Sequence, residues 1–256
     1  MRGRFSFILS ILVVLILVLS ITASASMLIP NNEKAKENGK APENSPVIDE
    51  TASGEWDLER VDFIHYAKPD NVGNPAKASS CYKLLGVKWK SLPVNYVINP
   101  SNPQNLSEAF VASAVSTSAE TWDSATASEL FNDAYTLNYS AQYGIQNFNN
   151  DIEFGDYPDS GVIGVTTIWY TRLGKQIVEF DMLLNTDFSW GDASANPLVM
   201  DLENIVTHEL GHSAGLGDIY SSSCSTVTMY GYSTEGEISK RTLEQPDITG
   251  LQRMYG

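Results

Sequence analysis

His208-Glu209-Leu210-Gly211-His212 sets two imidazoles one helical turn apart with a carboxylate beside the first, and Gly215 and Asp218 follow closely. On a helix, residues four apart share a face, with β-carbons about 6 Å apart, so both rings can aim a nitrogen at one ion. A catalytic zinc takes three protein ligands and keeps one position open. The H-E-x-x-H pattern is a known sequence form of that arrangement, with the Glu as general base. Gly215 can adopt the left-handed conformation that ends a helix. The chain can then turn back and offer the Asp218 carboxylate as third ligand. Such a site activates a water for hydrolysis, with Glu209 accepting its proton. The chain has three histidines, and two of them lie in this motif.

Residues 201–216 read as a helix able to carry the motif, with Leu202, Ile205, Val206, Leu210 and Ala214 at helical spacing and Asp201 as N-cap. Upstream, residues 94–98 alternate like a strand. Asn105 to Glu108 fits a helix N-cap with a reciprocal carboxylate, followed by the stripe Phe110, Ala114, Val115 and Trp122. Residues 135–139, 151–154, 162–170 and 177–184 are rich in β-branched and aromatic side chains, as strands are. Strand, helix, several strands, helix, irregular segment and helix describe an α+β domain.

The stretch from His208 to Asp218 resembles the metzincin zinc-peptidase signature, whose usual last member is His; a few families, such as the snapalysin-like peptidases, have Asp there. Thr228-Met229-Tyr230-Gly231 looks like the Met-containing turn of the matrixin (matrix metalloproteinase) branch. Residues 243–256 are similar to the matrixin C-terminal helix, and Leu92-Pro93-Val94-Asn95-Tyr96-Val97-Ile98-Asn99 to its first strand. Ala109, Phe110 and Trp122 fit the helix that follows, and Val178-Glu179-Phe180-Asp181, ending toward Trp190, the strand before the active-site helix. The resemblance runs from about Trp89 to Gly256. It implies a twisted, mostly parallel five-stranded sheet above the active-site helix, and a zinc-dependent endopeptidase acting on protein or peptide substrates. Zn²⁺ would be held by His208, His212 and Asp218, with Glu209 as general base. Met229 would floor the site without a ligand bond, and Tyr230 would pack nearby. Residues 170–175 would form the turn before an edge strand bordering the cleft, where an extended substrate adds by strand pairing.

Two departures stand out. Asp218 replaces His, which makes the ligand set harder and more anionic. The family's second, structural zinc uses several histidines, and none remain for it here. Ca²⁺ binding has no supporting motif: Asp151, Asp156, Asp159 and Asp187 lack EF-hand spacing and read as solvated charge. His65 precedes Lys68-Pro69-Asp70; a metal-blocking role has nothing beyond residue type behind it, and His65 reads as a surface histidine.

Arg2 and Arg4 precede an apolar run from Phe5 to Ile21, and Ala23-Ser24-Ala25 fits a cleavage site, so residues 1–26 read as a secretory signal peptide, with an uncleaved membrane anchor as the alternative. Residues 27–55 are polar and Pro-rich, a disordered linker or stalk. Residues 56–80, with Trp56, Leu58, Val61, Phe63, Ile64 and Tyr66, could dock as a short propeptide or N-terminal arm on a catalytic domain of residues 81–256. From Cys81 onward, 8 Lys and Arg face 21 Asp and Glu, a net of −13. That charge disfavours nucleic acid and anionic membranes as partners. No specific lipid partner is expected, and the protein reads as a monomer.

The two cysteines, Cys81 and Cys224, form most simply a disulfide in an oxidising compartment. The competing reading is a cysteine switch, in which a propeptide thiolate takes the open zinc position, as in many matrixins; the family's P-R-C-G-x-P-D context is absent around Cys81. The alternative function is a non-catalytic, secreted zinc-binding module of the cell envelope. Glu209 weighs against it, because a structural site needs no base and closes with a fourth ligand.

Overall fold

Seven strands pair into one sheet in the computed structural model, which describes residues 57–70 and 80–256. The strands are β1 (Leu58–Ala67), β2 (Val97–Ile98), β3 (Thr136–Leu137), β4 (Asp151–Gly155), β5 (Val162–Thr171), β6 (Ile177–Asn185) and β9 (Tyr232–Ser233), in the order β3-β2-β4-β6-β5-β1-β9. Strands β3, β2, β4 and β6 are parallel, and β5 runs antiparallel to β6. Those five are the sheet anticipated from sequence. The addition is β1, antiparallel to β5 from Leu58 opposite Thr171 to Tyr66 opposite Val162, and parallel to β9 at Tyr66 and Ala67. A small parallel pair, β7 (Trp190–Gly191) and β8 (Met200–Asp201), leads into the active-site helix.

Several local expectations need correction. The strand expected over 94–98 shrinks to Val97–Ile98, because Val94 exchanges backbone hydrogen bonds with Leu130 and Asn132. Helix α1 (Glu108–Asp123) is capped by Ser107, whose hydroxyl accepts from the Phe110 amide, and not by Asn105, which takes a left-handed φ of 58° just outside the helix. The strand expected at the cleft edge, now β6, lies inside the sheet between β4 and β5. The position bordering the active-site helix is the outer edge of β5, and β1 fills it. Asp151 is buried at the start of β4, with its amide turned to Asp181, and is not a solvated charge; Asp156, Asp159 and Asp187 are exposed as expected.

Helix α2 (Leu202–Ser213) runs under the sheet and packs on α1. The α1–α2 contact is polar as well as apolar. Trp122, wholly buried, donates from Nε1 to the Thr207 carbonyl at 2.8 Å, and Ser118 bridges the Glu203 carbonyl and the Thr207 hydroxyl. Each bond satisfies a buried group that would otherwise cost about 1–3 kcal/mol. Helix α3 (Gln245–Tyr255) starts with Pro246 in its first turn, and the Asp247 carboxylate accepts from the Glu244 amide, as a capping box requires.

Cys81 and Cys224 are disulfide-bonded across 143 residues, which leaves neither thiol to cap a metal and disposes of the cysteine-switch reading. The signal peptide and linker read over 1–26 and 27–55 lie outside the described residues. Replacing both cysteines by Ser should lower unfolding stability by about 2–5 kcal/mol, read as a fall in denaturant midpoint at constant slope.

Candidate metal centre

Asp201 caps α2 as anticipated, accepting from the Asn204 amide at 2.9 Å, and its carboxylate is also held by Arg241. The helix brings His208, Glu209 and His212 to one wholly buried patch. It ends at Ala214, and Gly215 then takes φ 101°, where a side chain would meet the Val87 carbonyl. Backbone bonds from Leu85 to Gly215 and from Gly217 to Lys83 hold the turn that delivers Asp218.

Each imidazole is fixed by a backbone carbonyl. His208 Nδ1 donates to Thr228 O at 2.7 Å and His212 Nδ1 to Leu216 O at 2.9 Å. A neutral ring that donates from Nδ1 carries its lone pair on Nε2. Those two Nε2 atoms sit 3.3 and 3.5 Å from Asp218 Oδ1. Three buried acceptors thus face one another, an arrangement that repels unless a cation joins it. Burial pushes His208 down to about 4, which keeps it neutral. For His212 burial pulls the same way, but the Asp218 carboxylate outweighs it and the ring is raised. Burial works against ionising Asp218 too, yet the two imidazoles hold it well below the usual carboxylate range. A proton on His212 is one cation the cluster can take; a divalent metal is the other. Two imidazole nitrogens and a carboxylate oxygen suit zinc.

Glu209 points to the sheet. Thr166 of β5 donates to its Oε2 at 2.6 Å, and His65 of β1 donates from Nδ1 to Oε1 at 3.1 Å. Burial raises its carboxyl. Gly164 lies so close that a β-carbon there would come within 3.2 Å of Oε1.

His65 is the main correction. Read as a surface residue, it is wholly buried, with its ring centroid 3.9 Å from that of His208. The signal for it was the alternation Val61, Phe63, His65, which puts all three on the buried face of one strand. Thr166 and Asp247 also escaped the sequence reading. Asp247 accepts from the Thr228 and Met229 amides at 2.9 and 3.2 Å, so it fixes the carbonyl that orients His208. Met229 is buried and packs against the helix at Gly211. Tyr230 belongs to a separate cluster with Ile219, Val227 and Tyr232. Among the described residues, two groups of three ligand-type side chains lie within 4.8 Å of one another, His208-His212-Asp218 and His65-His208-Glu209.

A mostly parallel sheet over a histidine-bearing helix, a glycine turn and a Met-floored site make up a metzincin catalytic domain. The matrixin family model (Peptidase_M10) matches residues 88–256, and the chain belongs to that family. It is 31% identical over 170 residues to human neutrophil collagenase, which covers 66% of this chain and 33% of that protein. With matrix metalloproteinase-25 of Mus musculus the identity is 27% over 177 residues, 68% of this chain and 28% of the relative. Human matrilysin matches at 37% over 76 residues, 30% of this chain and 27% of matrilysin. The chain therefore spans a third or less of these relatives' length.

A methyl group at Gly211 would overlap Met229 Sδ and come within 2.7 Å of Trp122 Cζ2. Gly211→Ala should therefore cost about 1–3 kcal/mol by overpacking, measured by thermal or chemical unfolding.

Proposed function

We propose that this protein is a zinc-dependent endopeptidase with His208, His212 and Asp218 as metal ligands and Glu209 as general base. The observation that carries the reading is the buried convergence of two lone-pair nitrogens on one carboxylate oxygen, each ring held from behind by a backbone carbonyl. Zinc bound there would supply a Lewis acid that acidifies a water and polarises a peptide carbonyl.

The residues around it divide the remaining work. Thr166 anchors Glu209 Oε2 at 2.6 Å and His65 holds Oε1 more loosely at 3.1 Å, so Oε1 is the atom that takes a proton from the attacking water and returns it to the departing amine. Burial raises the Glu209 carboxyl, which makes its carboxylate a stronger base in the first half of that cycle, when it takes the proton from water. Met229 and Trp122 pack the underside of α2 and keep the histidine pair in register. An extended protein or peptide substrate needs the outer edge of β5, which β1 occupies here, so β1 must be displaced before it can pair. The secretory leader read over residues 1–26, together with a disulfide of the kind oxidising compartments sustain, supports action outside the cytoplasm.

The test uses the purified chain, assayed intact and after cleavage upstream of Cys81. It should carry about one zinc, as a three-ligand catalytic site does. Glu209→Ala should keep that zinc and lose hydrolysis of an unfolded protein by a factor of about 10²–10⁴. His212→Ala should lose the metal. Hydrolysis surviving in Glu209→Ala, with contaminating proteases excluded, or unchanged zinc content in His212→Ala would overturn the assignment.

A further inference from the structure

The sheet carries a second concavity, at the end where β2, β4 and β6 begin. It is an open groove of about 910 Å³, within the ~300–1,000 Å³ typical of small-ligand sites. It shares no residue with the metal centre. The chain has a net charge of −15, yet none of the described residues lining this groove is charged. Amides and hydroxyls supply its polar groups instead, with Asn95, Asn138, Asn149 and Gln176 among them. Asn95 Oδ1 accepts from Asn132 Nδ2, and Asn138 Oδ1 from the Ser140 amide. Among the described residues, the Nδ2 atoms of that pair and the whole side-chain amides of Asn149 and Gln176 make no hydrogen bond. A side-chain amide brings two donors and an acceptor with two lone pairs, which suits a partner rich in hydroxyls.

Phe148 supplies the apolar element. Its side chain lines the groove and is 51% exposed, on a backbone with a left-handed φ of 62° that bulky residues rarely adopt. Both features cost stability, and a buried carboxylate enforces them. Glu179 of β6 accepts from the Asn147 and Phe148 amides and from Gln146 Nε2, which pins the loop in place. A ring held this way gives up little freedom when a ligand lands on it. The C–H face of a pyranose is apolar and can stack there while its hydroxyls reach the amides. An extended peptide fits less well. Strand β2 is paired on both sides, by β3 and β4, and β6 by β4 and β5, so neither offers an edge for strand addition. An ionic ligand would meet no counter-charge in the lining.

We propose that this groove binds a neutral oligosaccharide, with Phe148 as the stacking platform and Asn95, Asn138, Asn149 and Gln176 as partners of the sugar hydroxyls. The site stands apart from the endopeptidase reading and does not depend on it. Occupied, it anchors the chain to a glycan without engaging the metal centre.

The test titrates the full chain, by calorimetry, with neutral hexasaccharides of glucose, mannose and N-acetylglucosamine. A hexasaccharide of galacturonic acid serves as the charged control. At least one neutral sugar should bind saturably, with a Kd below about 1 mM, and molar salt should not weaken it. The charged control should bind at least about tenfold more weakly. Phe148→Ala should weaken binding at least about tenfold, while Phe148→Tyr should keep it. Asn149→Asp keeps the side chain's shape and replaces a donor by a charge, and it should weaken binding at least about threefold. Unchanged near-ultraviolet circular dichroism shows each variant folded; if Phe148→Ala fails that check, Asn149→Asp decides. No saturation by any neutral hexasaccharide up to about 10 mM, undiminished binding in the folded variants, or equal binding of galacturonate would overturn the proposal. So would a neutral extended peptide that binds with Phe148 dependence where every sugar fails, which would make the groove a peptide site. Hydrolysis does not enter these measurements, so their failure leaves the peptidase reading as it stands.

Discussion

Everything at the centre of this molecule follows from three buried acceptors turned toward one another. Nitrogen lone pairs of His208 and His212 meet Asp218 in a buried pocket, where their repulsion is strong and a positive charge makes the cluster favourable. The chain secures this by fixing tautomers through its backbone. Carbonyls of Thr228 and Leu216 accept from the Nδ1 atoms, so the loop conformations on which those carbonyls sit decide where the lone pairs point. Gly215 and Asp247 thus shape the chemistry without touching it. One lets the chain reverse after α2; the other holds the Met229 turn in place.

Around that centre the packing leaves little slack. Helix α2 is pressed between the sheet and α1, with Trp122 and Met229 both against Gly211, so the space under the histidine pair is that of a hydrogen atom. Interiors packed at crystal-like density pass displacement on instead of absorbing it. The geometry of the two imidazoles is therefore coupled to residues far away in sequence, including a tryptophan on another helix.

How much of this was legible beforehand depended on how local the cause was. The spacing of His208, Glu209 and His212 is a property of one helix, and Gly215 and Asp218 follow within six residues, so the candidate ligands could be named from the sequence, and the structure brings those side chains together. The five strands were visible as runs of branched and aromatic residues, but the one expected at the cleft edge lies inside the sheet, because pairing with β4 and β5 is set by partners distant in sequence. What escaped was set by distant partners. Residues 58–67 carry an alternating pattern, but only their pairing with β5 and β9, about a hundred residues or more downstream, buries His65. Asp151 looked like surface charge because nothing near it in sequence announces Asp181. The exchange of Asn105 for Ser107 as helix cap was a local miss: both side chains can cap, and the left-handed φ at Asn105 is what moved the start of the helix.

One carboxylate has a temporal meaning as well. Asp247, in the first turn of α3, is the group that accepts from the Thr228 and Met229 amides, and it is translated after every other member of the centre. Until the ribosome has passed it, the loop beneath the histidines has no anchor and His208 has no settled acceptor for its Nδ1 proton. A chain cut short before Asp247 would therefore lack the carboxylate that fixes the loop beneath His208, and the order of that loop is the last to be secured as the chain is made.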